Sequence, residues 1–173
     1  MKEKERLIMI MNWLRTSNVS AGILTVVRIY LGWLWLSAGW GKVTSGFDAS
    51  GFIAGSIANP VVKGGEPVFG WYISFLENFA LPNADVFSFM VAYGEVAVGL
   101  GLILGCLTTW AAFFGMVMNF AFVMAGTISH SPMDIIMEIF IVAAGVNAGK
   151  FGLDRWVMPY LKGIIFKNKS VQA

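Results

Sequence analysis

One nearly uncharged stretch, long enough to cross a bilayer, constrains this chain more than any other feature. Residues 84–104 read ADVFSFMVAYGEVAVGLGLIL, and Glu95 is the charged residue near the middle. A membrane-spanning helix needs about 20 apolar residues, so Glu95 is predicted to lie near the bilayer midplane. Because a carboxylate costs at least about 2.5 kcal/mol at that depth, Glu95 should face the protein interior, find a partner or stay protonated.

Small residues around Glu95 predict close contact between helices. Ala97, Gly101 and Gly105 recur at every fourth position, a spacing that lets membrane helices approach one another. Gly99 lies one turn after Glu95 on a different side of the helix and is expected to leave space beside the carboxylate.

The overall composition extends the membrane interpretation to the whole chain. Hydrophobic residues make up 57% of the sequence and charged residues 13%, whereas soluble domains have about 25% charged residues. We therefore predict a single membrane domain over residues 1–173. One cysteine, Cys106, and one histidine, His130, exclude an internal disulfide and a haem held by two histidines within one chain, and no iron–sulfur or metal site is evident.

The apolar runs predict an all-α integral membrane protein, a four-helix bundle with spans at about 21–41, 84–104, 108–126 and 132–149. Interfacial amphipathic helices are expected at 7–14 and in the tail after residue 150; a signal peptide is the alternative for the N-terminal segment. Residues 43–83 form a long connection with a short helix broken at Asn59-Pro60, a turn at 63–66, and an interfacial or re-entrant helix at 67–81 that ends at Pro82-Asn83.

Lysine and arginine are concentrated at both ends of the chain. By the positive-inside rule, both termini of this multi-pass cell-membrane protein are expected in the cytoplasm and the long loop outside.

Polar residues on the spans predict two interior clusters. Arg28, Trp35 and Lys42 share one stripe of the first span with Gly32 and Gly39. Depth estimates from the helical rise of about 1.5 Å per residue place Arg28 within side-chain reach of Glu95, with Asn119 at the same level. A second cluster would join Lys42 to one of two acids on the fourth span, Asp134 or Glu138.

Each of these residues has a structural and a functional interpretation. Buried ion pairs can fix helix register without any chemistry, whereas intramembrane ionisable groups usually mark functional sites. Asn119 could serve only as a hydrogen bond between helices, and His130 as a solvated turn residue. Trp35 could anchor the helix at the interface or stack against a ring-shaped ligand.

Three segments resemble the DoxX/DoxD family: RIYLGWLWLSAGWGK at 28–42, GEVAVGLGLILG at 94–105 and NAGKFGLDRW at 147–156. The resemblance implies a four-helix membrane fold and a role like that of DoxD, the membrane subunit of thiosulfate:quinone oxidoreductase. The family's membrane arginine, lysine and glutamate correspond to Arg28, Lys42 and Glu95. A DoxA-like subunit is expected to be a separate chain.

The first functional hypothesis is therefore a quinone-linked oxidoreductase subunit that passes electrons from a small donor, such as thiosulfate, to membrane quinone. Candidate catalytic residues are Glu95, as a proton source, and Arg28, as a hydrogen-bond donor to quinone. Candidate residues for binding the quinone or the anionic donor are Lys42, Trp35, Asn119, Glu138 and Asp134.

The second hypothesis is a non-catalytic membrane scaffold or small-molecule carrier, in which the same charges hold the helices together. Expected partners are membrane lipid, quinone, the DoxA-like subunit and further copies of the chain; no nucleic acid is expected.

Overall fold

The structure, a computed structural model, describes residues 2–128 and 131–167, with side chains through residue 163. Its helices are α1 (Lys2–Thr16), α2 (Asn18–Ser45), α3 (Ala49–Ala58), α4 (Gly70–Phe75), α5 (Ala84–Leu104), α6 (Thr108–Met124), α7 (Ser131–Ala144) and α8 (Asp154–Lys167). Two short antiparallel strands, β1 (Val62–Lys63) and β2 (Glu66–Pro67), flank the predicted turn at Gly64-Gly65. The all-α prediction is confirmed.

Two helical stretches are long and apolar enough to cross a membrane: Asn18–Ser45 and Gly70–Leu104. α6 is apolar but shorter, with 17 residues, and α7 has 14 residues followed by a 3₁₀ turn, Gly145–Asn147. The four predicted spans thus fall on α2, α5, α6 and α7. That all four cross a membrane stays a prediction.

The helix before the second span does not end at Pro82-Asn83, as the sequence had suggested. A π-helical segment, Leu76–Ala80, and a 3₁₀ segment, Leu81–Asn83, join α4 to α5 without a break. Proline lacks an amide hydrogen and clashes with a regular α-helical turn. Here the local changes of helix pitch accommodate Pro82, so the helical structure continues past it.

α2 and α5 pack antiparallel with their backbones in close contact. A Cβ atom added to Gly39 would lie 2.6 Å from the Val96 amide nitrogen, and one added to Gly99 would lie 2.5 Å from the Leu36 amide nitrogen. Such distances leave no room for a side chain at either position. The glycines therefore set how closely the two helices approach.

α6 and α7 form a second closely packed pair, and α6 also contacts α5. The main core lies between these helices and α2 and includes Leu31, Trp35, Leu102, Ala112 and Ile141. α1 packs against the beginning of α2 and the end of α7.

Residues 43–83, predicted as a long connection with a short helix and an interfacial or re-entrant helix, fold into a compact cap. α3 and the 70–83 helical segment share a separate hydrophobic core with one end of α5 and α6. The Ala49 amide donates to Ser88 Oγ at 2.8 Å, which fastens α3 to α5. At the start of α3, hydrogen bonds from the Ser50 hydroxyl and amide lower the pKa of Asp48, because they stabilise its carboxylate form.

Candidate functional site

The polar stripe of α2 contributes to three separate clusters. Arg28, Trp35 and Lys42 are seven residues apart, so each lies two helical turns, about 10 Å, from the next along one face. Each reaches a different part of the helix assembly, and the predicted two-cluster arrangement is therefore replaced by three.

The first cluster is a salt bridge between Lys42 and Glu95. Lys42 Nζ lies 2.7 Å from Glu95 Oε2. Both predicted pairings of these residues were wrong: Glu95 does not pair with Arg28, and Lys42 does not pair with the acids of α7. The lysine side chain extends back along α2 to the level of Gly39, where Glu95 packs.

The space that Gly99 was expected to leave beside Glu95 is filled. The backbone of Leu36 occupies the position that a side chain at residue 99 would need. Gly99 serves helix packing, and it gives Glu95 no open cavity for a ligand.

The second cluster surrounds Arg28, which is buried at the C-terminal end of α5. Its Nη1 donates to the carbonyls of Leu102 at 2.6 Å and Ile103 at 2.8 Å, and its Nη2 donates to Phe151 at 3.1 Å. Carbonyl groups in the last turn of a helix lack partners within the helix. Arg28 satisfies two of them and offsets the negative end of the helix dipole, which is the physical reason that it does not reach Glu95.

Asp154 completes this cluster and was not predicted from the sequence. Its carboxylate accepts hydrogen bonds from the Leu107 amide at 2.6 Å and the Thr108 amide at 3.0 Å, so it caps the first turn of α6. Its own amide donates to the Gly105 carbonyl at 2.7 Å. The segment before α8 is thereby fixed onto the α5–α6 turn, close enough for Asp154 to interact electrostatically with Arg28.

Asn147 is a second residue whose contacts were not predicted from the sequence. Its Nδ2 donates to the carbonyls of Leu14 and Ser17 and to the Ser20 hydroxyl. Both Asn147 and Asp154 lie in the segment NAGKFGLDRW, but their partners are mostly backbone groups that no side-chain pattern reveals.

The third cluster is centred on Glu138 of α7, whose side chain is fully buried. Glu138 Oε1 accepts from Trp35 Nε1 at 3.0 Å, and Oε2 accepts from Asn119 Nδ2 at 3.1 Å. Gly115 makes room for the carboxyl group, since a Cβ atom there would lie 2.6 Å from Glu138 Oε1. Asn119, predicted beside Arg28 and Glu95, instead joins α6 to α7.

This arrangement changes the interpretation of two further predicted residues. Trp35 is 6% exposed and donates to a carboxyl group, so it is not an interface anchor. Asp134 is also buried and lies one turn before Glu138 on the same face of α7. His130 lies outside the described residues.

The three clusters differ in the chemistry they allow. Among the described side chains, in residues 2–128 and 131–163, Lys42 and Glu95 form a salt bridge. Glu138 instead accepts hydrogen bonds from Trp35 and Asn119, which are neutral donors. A buried carboxyl group held by neutral donors can carry or release a proton. In the same part of the chain, no group of three or more His, Cys, Asp or Glu side chains is placed to hold a metal ion.

Comparison with protein families matches residues 23–128 to the family described as DoxX. The matched region includes Arg28, Trp35, Lys42, Glu95 and Asn119. Neither the curated proteins nor the solved structures give a match. Glu138, Asn147 and Asp154 lie after the matched region.

Proposed function

Because the chain belongs to the DoxX family of membrane proteins, we propose that it is the membrane subunit of a quinone-linked oxidoreductase, similar in role to DoxD. The proposed electron donor is a small sulfur anion of the thiosulfate type. We assign the proton-holding role to Glu138 instead of Glu95. The burial of Glu138 among neutral hydrogen-bond donors is the observation that carries this proposal.

The two interior glutamates differ in how their charge is balanced. Glu95 is held by the Lys42 ammonium at 2.7 Å, so protonation of its carboxylate would break a salt bridge. Glu138 has Trp35 and Asn119 as partners, and these two donors fix the position of its carboxyl group. A group that exchanges protons needs a fixed position and must be able to exist in its neutral, protonated form. Glu138 meets both requirements better than Glu95 does.

The reaction itself requires such a group. Two thiosulfate ions that form one sulfur–sulfur bond release two electrons, and a quinone that accepts two electrons also takes up two protons. Glu138 would hold a proton within the helix assembly, and Asp134, one turn away on α7, extends the line of buried carboxyl groups. Arg28 is occupied by backbone carbonyls and is no longer assigned to quinone binding.

The anionic donor would approach the end of the molecule that carries the cap. Lys42 lies at this end with a side chain 27% exposed, but its charge is paired with Glu95. Lys63, in β1, is exposed on the hairpin and is the better candidate for attracting an anion by long-range electrostatics.

We further propose a cell-membrane location with four spans, α2, α5, α6 and α7, both termini in the cytoplasm, and a separate DoxA-like partner subunit. Large apolar side chains are exposed on the outer faces of all four helices, among them Trp33, Phe89, Phe114 and Ile136. Contact with lipid, or with further copies of the chain, would cover such faces.

A non-catalytic scaffold or carrier is the second candidate, and one set of contacts favours it. Arg28, Asp154 and Asn147 all bond backbone groups that hold helix ends together. These residues explain part of the polar interior without any chemistry, but they leave Glu138 unexplained.

The Glu138→Gln variant tests the proposal. Glutamine keeps the shape and one acceptor oxygen, so the protein should fold, while turnover with quinone should fall by about 10²-fold or more and KM for the donor should change little. The measurement is quinone reduction by purified protein in lipid nanodiscs, with thiosulfate or a reducing dye as donor. Glu77→Gln, at an exposed position, is the matched control and should keep wild-type turnover.

Wild-type turnover in correctly folded Glu138→Gln protein would exclude the proton role. Absence of quinone reduction by the wild-type protein, alone and together with a DoxA-like subunit, would favour the scaffold.

A further inference from the structure

A cleft of about 450 Å³ opens where the end of α1, the end of α7 and the beginning of α8 meet. It belongs to none of the three clusters along α2, although it borders Asp154. Four cationic side chains line it: Arg15, Lys150, Arg155 and Lys162. All four are exposed, so the cleft is accessible from outside the helix assembly.

The positive charge in this cleft is not neutralised within the part of the chain that the structure describes. Arg15 Nε donates to the Ala143 carbonyl at 3.0 Å, and Lys150 Nζ donates to Asn18 Oδ1 at 2.6 Å. Both partners are uncharged. The Arg155 guanidinium lies 4.6 Å from the centre of the Trp156 ring, which orients it without cancelling its charge.

Asp154 is the acidic side chain in the cleft wall, and its carboxylate is already hydrogen-bonded within the protein. Its two carboxylate oxygens accept the Leu107 and Thr108 amides, and its side chain is buried. The cleft therefore presents an excess of positive charge with N–H donors on several sides, which suits a phosphate group.

The surroundings of the cleft favour a lipid over a soluble anion. Val146, Met158 and Pro159 contribute apolar lining. Next to the cleft, α1 exposes Ile10 and Trp13, and α8 exposes Tyr160 at 71%. Helices with basic and apolar faces of this kind lie in the headgroup region of a membrane, where acyl chains can cover the apolar side chains while the headgroup occupies the basic cleft.

We infer that this cleft binds the phosphate headgroup of an anionic phospholipid. Basic pockets between membrane helices on the cytoplasmic side bind such headgroups, and both termini are predicted to lie on that side. Lipid bound here would contact α1, α7 and α8 together and hold the terminal helices against the rest of the protein.

The test uses the full chain in detergent, titrated with phosphatidylglycerol and followed by native mass spectrometry. Phosphatidylglycerol should bind more tightly than phosphatidylcholine. The double variant Arg155→Gln/Lys162→Gln should weaken phosphatidylglycerol binding by about 10- to 30-fold, as expected for two lost cations near a lipid surface. Inorganic phosphate is the competitor that tests a soluble anion as the true ligand.

Lys2→Gln/Lys4→Gln is the matched control, because it removes the same charge from the same end of the molecule. Lys4 lies 11 residues before Arg15 on α1, about 16 Å along the helix and beyond the screening length of about 8 Å at physiological salt. The lipid affinity of this control variant should stay close to that of the wild type. If the cleft variant fails to fold, Lys162→Gln alone should still weaken binding by about fivefold.

Equal losses in the two double variants would overturn the inference, because they would indicate non-specific charge attraction. So would equal affinity for phosphatidylglycerol and phosphatidylcholine. Complete displacement of the lipid by millimolar phosphate would assign the cleft to a soluble anion.

Discussion

Lys42 and Glu95 share a salt bridge but are buried to different extents. The side chain of Lys42 is 27% exposed, whereas that of Glu95 is 2% exposed. A lysine that loses its partner can extend its ammonium group towards water. A glutamate at the depth of Glu95 cannot, so the two single substitutions should differ in their effect on stability.

We predict that Lys42→Met costs more unfolding free energy than Glu95→Gln. Leaving Glu95 buried and unpaired should cost about 3 kcal/mol, while leaving the partly exposed Lys42 unpaired should cost about 1 kcal/mol. The double variant should lose less than the sum of the two by at least about 1 kcal/mol. Reversible unfolding of the detergent-solubilised protein measures all three values.

A second cycle with Arg28→Met and Glu95→Gln is the control for coupling. Arg28 contacts carbonyls seven and eight residues after Glu95 on α5, about 11 Å along the helix. Substitutions that far apart should be additive within about 0.5 kcal/mol. Coupling as strong as that of Lys42 with Glu95 would contradict the separation of Arg28 from Glu95 along α5.

At the scale of residues, helical periodicity identified the interior polar groups but not their partners. Arg28, Glu95, Asn119, Asp134 and Glu138 are all buried, as their positions on the spans had indicated. A buried polar side chain pairs with whichever nearby groups lack a hydrogen-bond partner. For Arg28 these groups are the backbone carbonyls at the end of α5, which the pattern of side chains in a sequence does not reveal. For the same reason Asp154, which caps backbone amides, was missed.

At the scale of elements, the contact between α2 and α5 depends on individual glycines. Gly39 faces α5, and a Cβ atom there would lie 2.9 Å from Glu95 Cβ in addition to its contact with Val96. Gly41, two residues later on the same helix, has no atom within 4 Å of the corresponding position. The two glycines therefore form a matched pair with opposite environments.

We predict that Gly39→Ala destabilises the protein by about 1–3 kcal/mol, because the added methyl group must push two helix backbones apart. Gly41→Ala should be neutral or stabilising by up to about 1 kcal/mol, since alanine favours the helix and meets no neighbour. Thermal unfolding of the purified protein compares them. Equal melting temperatures for the two variants would show that α2 and α5 are not in backbone contact.

Element positions could be predicted more fully than element connections. The four apolar runs lie on α2, α5, α6 and α7, and the short helix α3 ends at Ala58, next to the Asn59-Pro60 break. The continuity from Gly70 to Leu104 could not be predicted. Pro82 normally ends a helix, and only the change to π and 3₁₀ geometry lets the chain continue.

At the scale of the whole molecule, the two ends differ in charge and in structure. One end carries α1, α8 and the basic cleft, with Arg15, Lys150 and Arg155 among its cations. The opposite end carries the folded cap of residues 43–83, in which Lys63 is accompanied by acids that include Glu66 and Glu77. An excess of Lys and Arg marks the cytoplasmic side of a membrane protein, so the cap should face outward.

Cysteine labelling in intact cells tests this orientation and the number of spans together. In a Cys106→Ser background, a membrane-impermeant maleimide should label Glu66→Cys on the exposed hairpin. Lys4→Cys on α1 and Lys162→Cys on α8 should be labelled only after the membrane is permeabilised, because four crossings return both termini to the side opposite the cap. All three positions are exposed, so a difference in labelling reports the side of the membrane and not burial within the protein. Labelling of Lys162→Cys but not Lys4→Cys in intact cells would require an odd number of crossings, and one of the two shorter helices, α6 or α7, would then lie outside the bilayer.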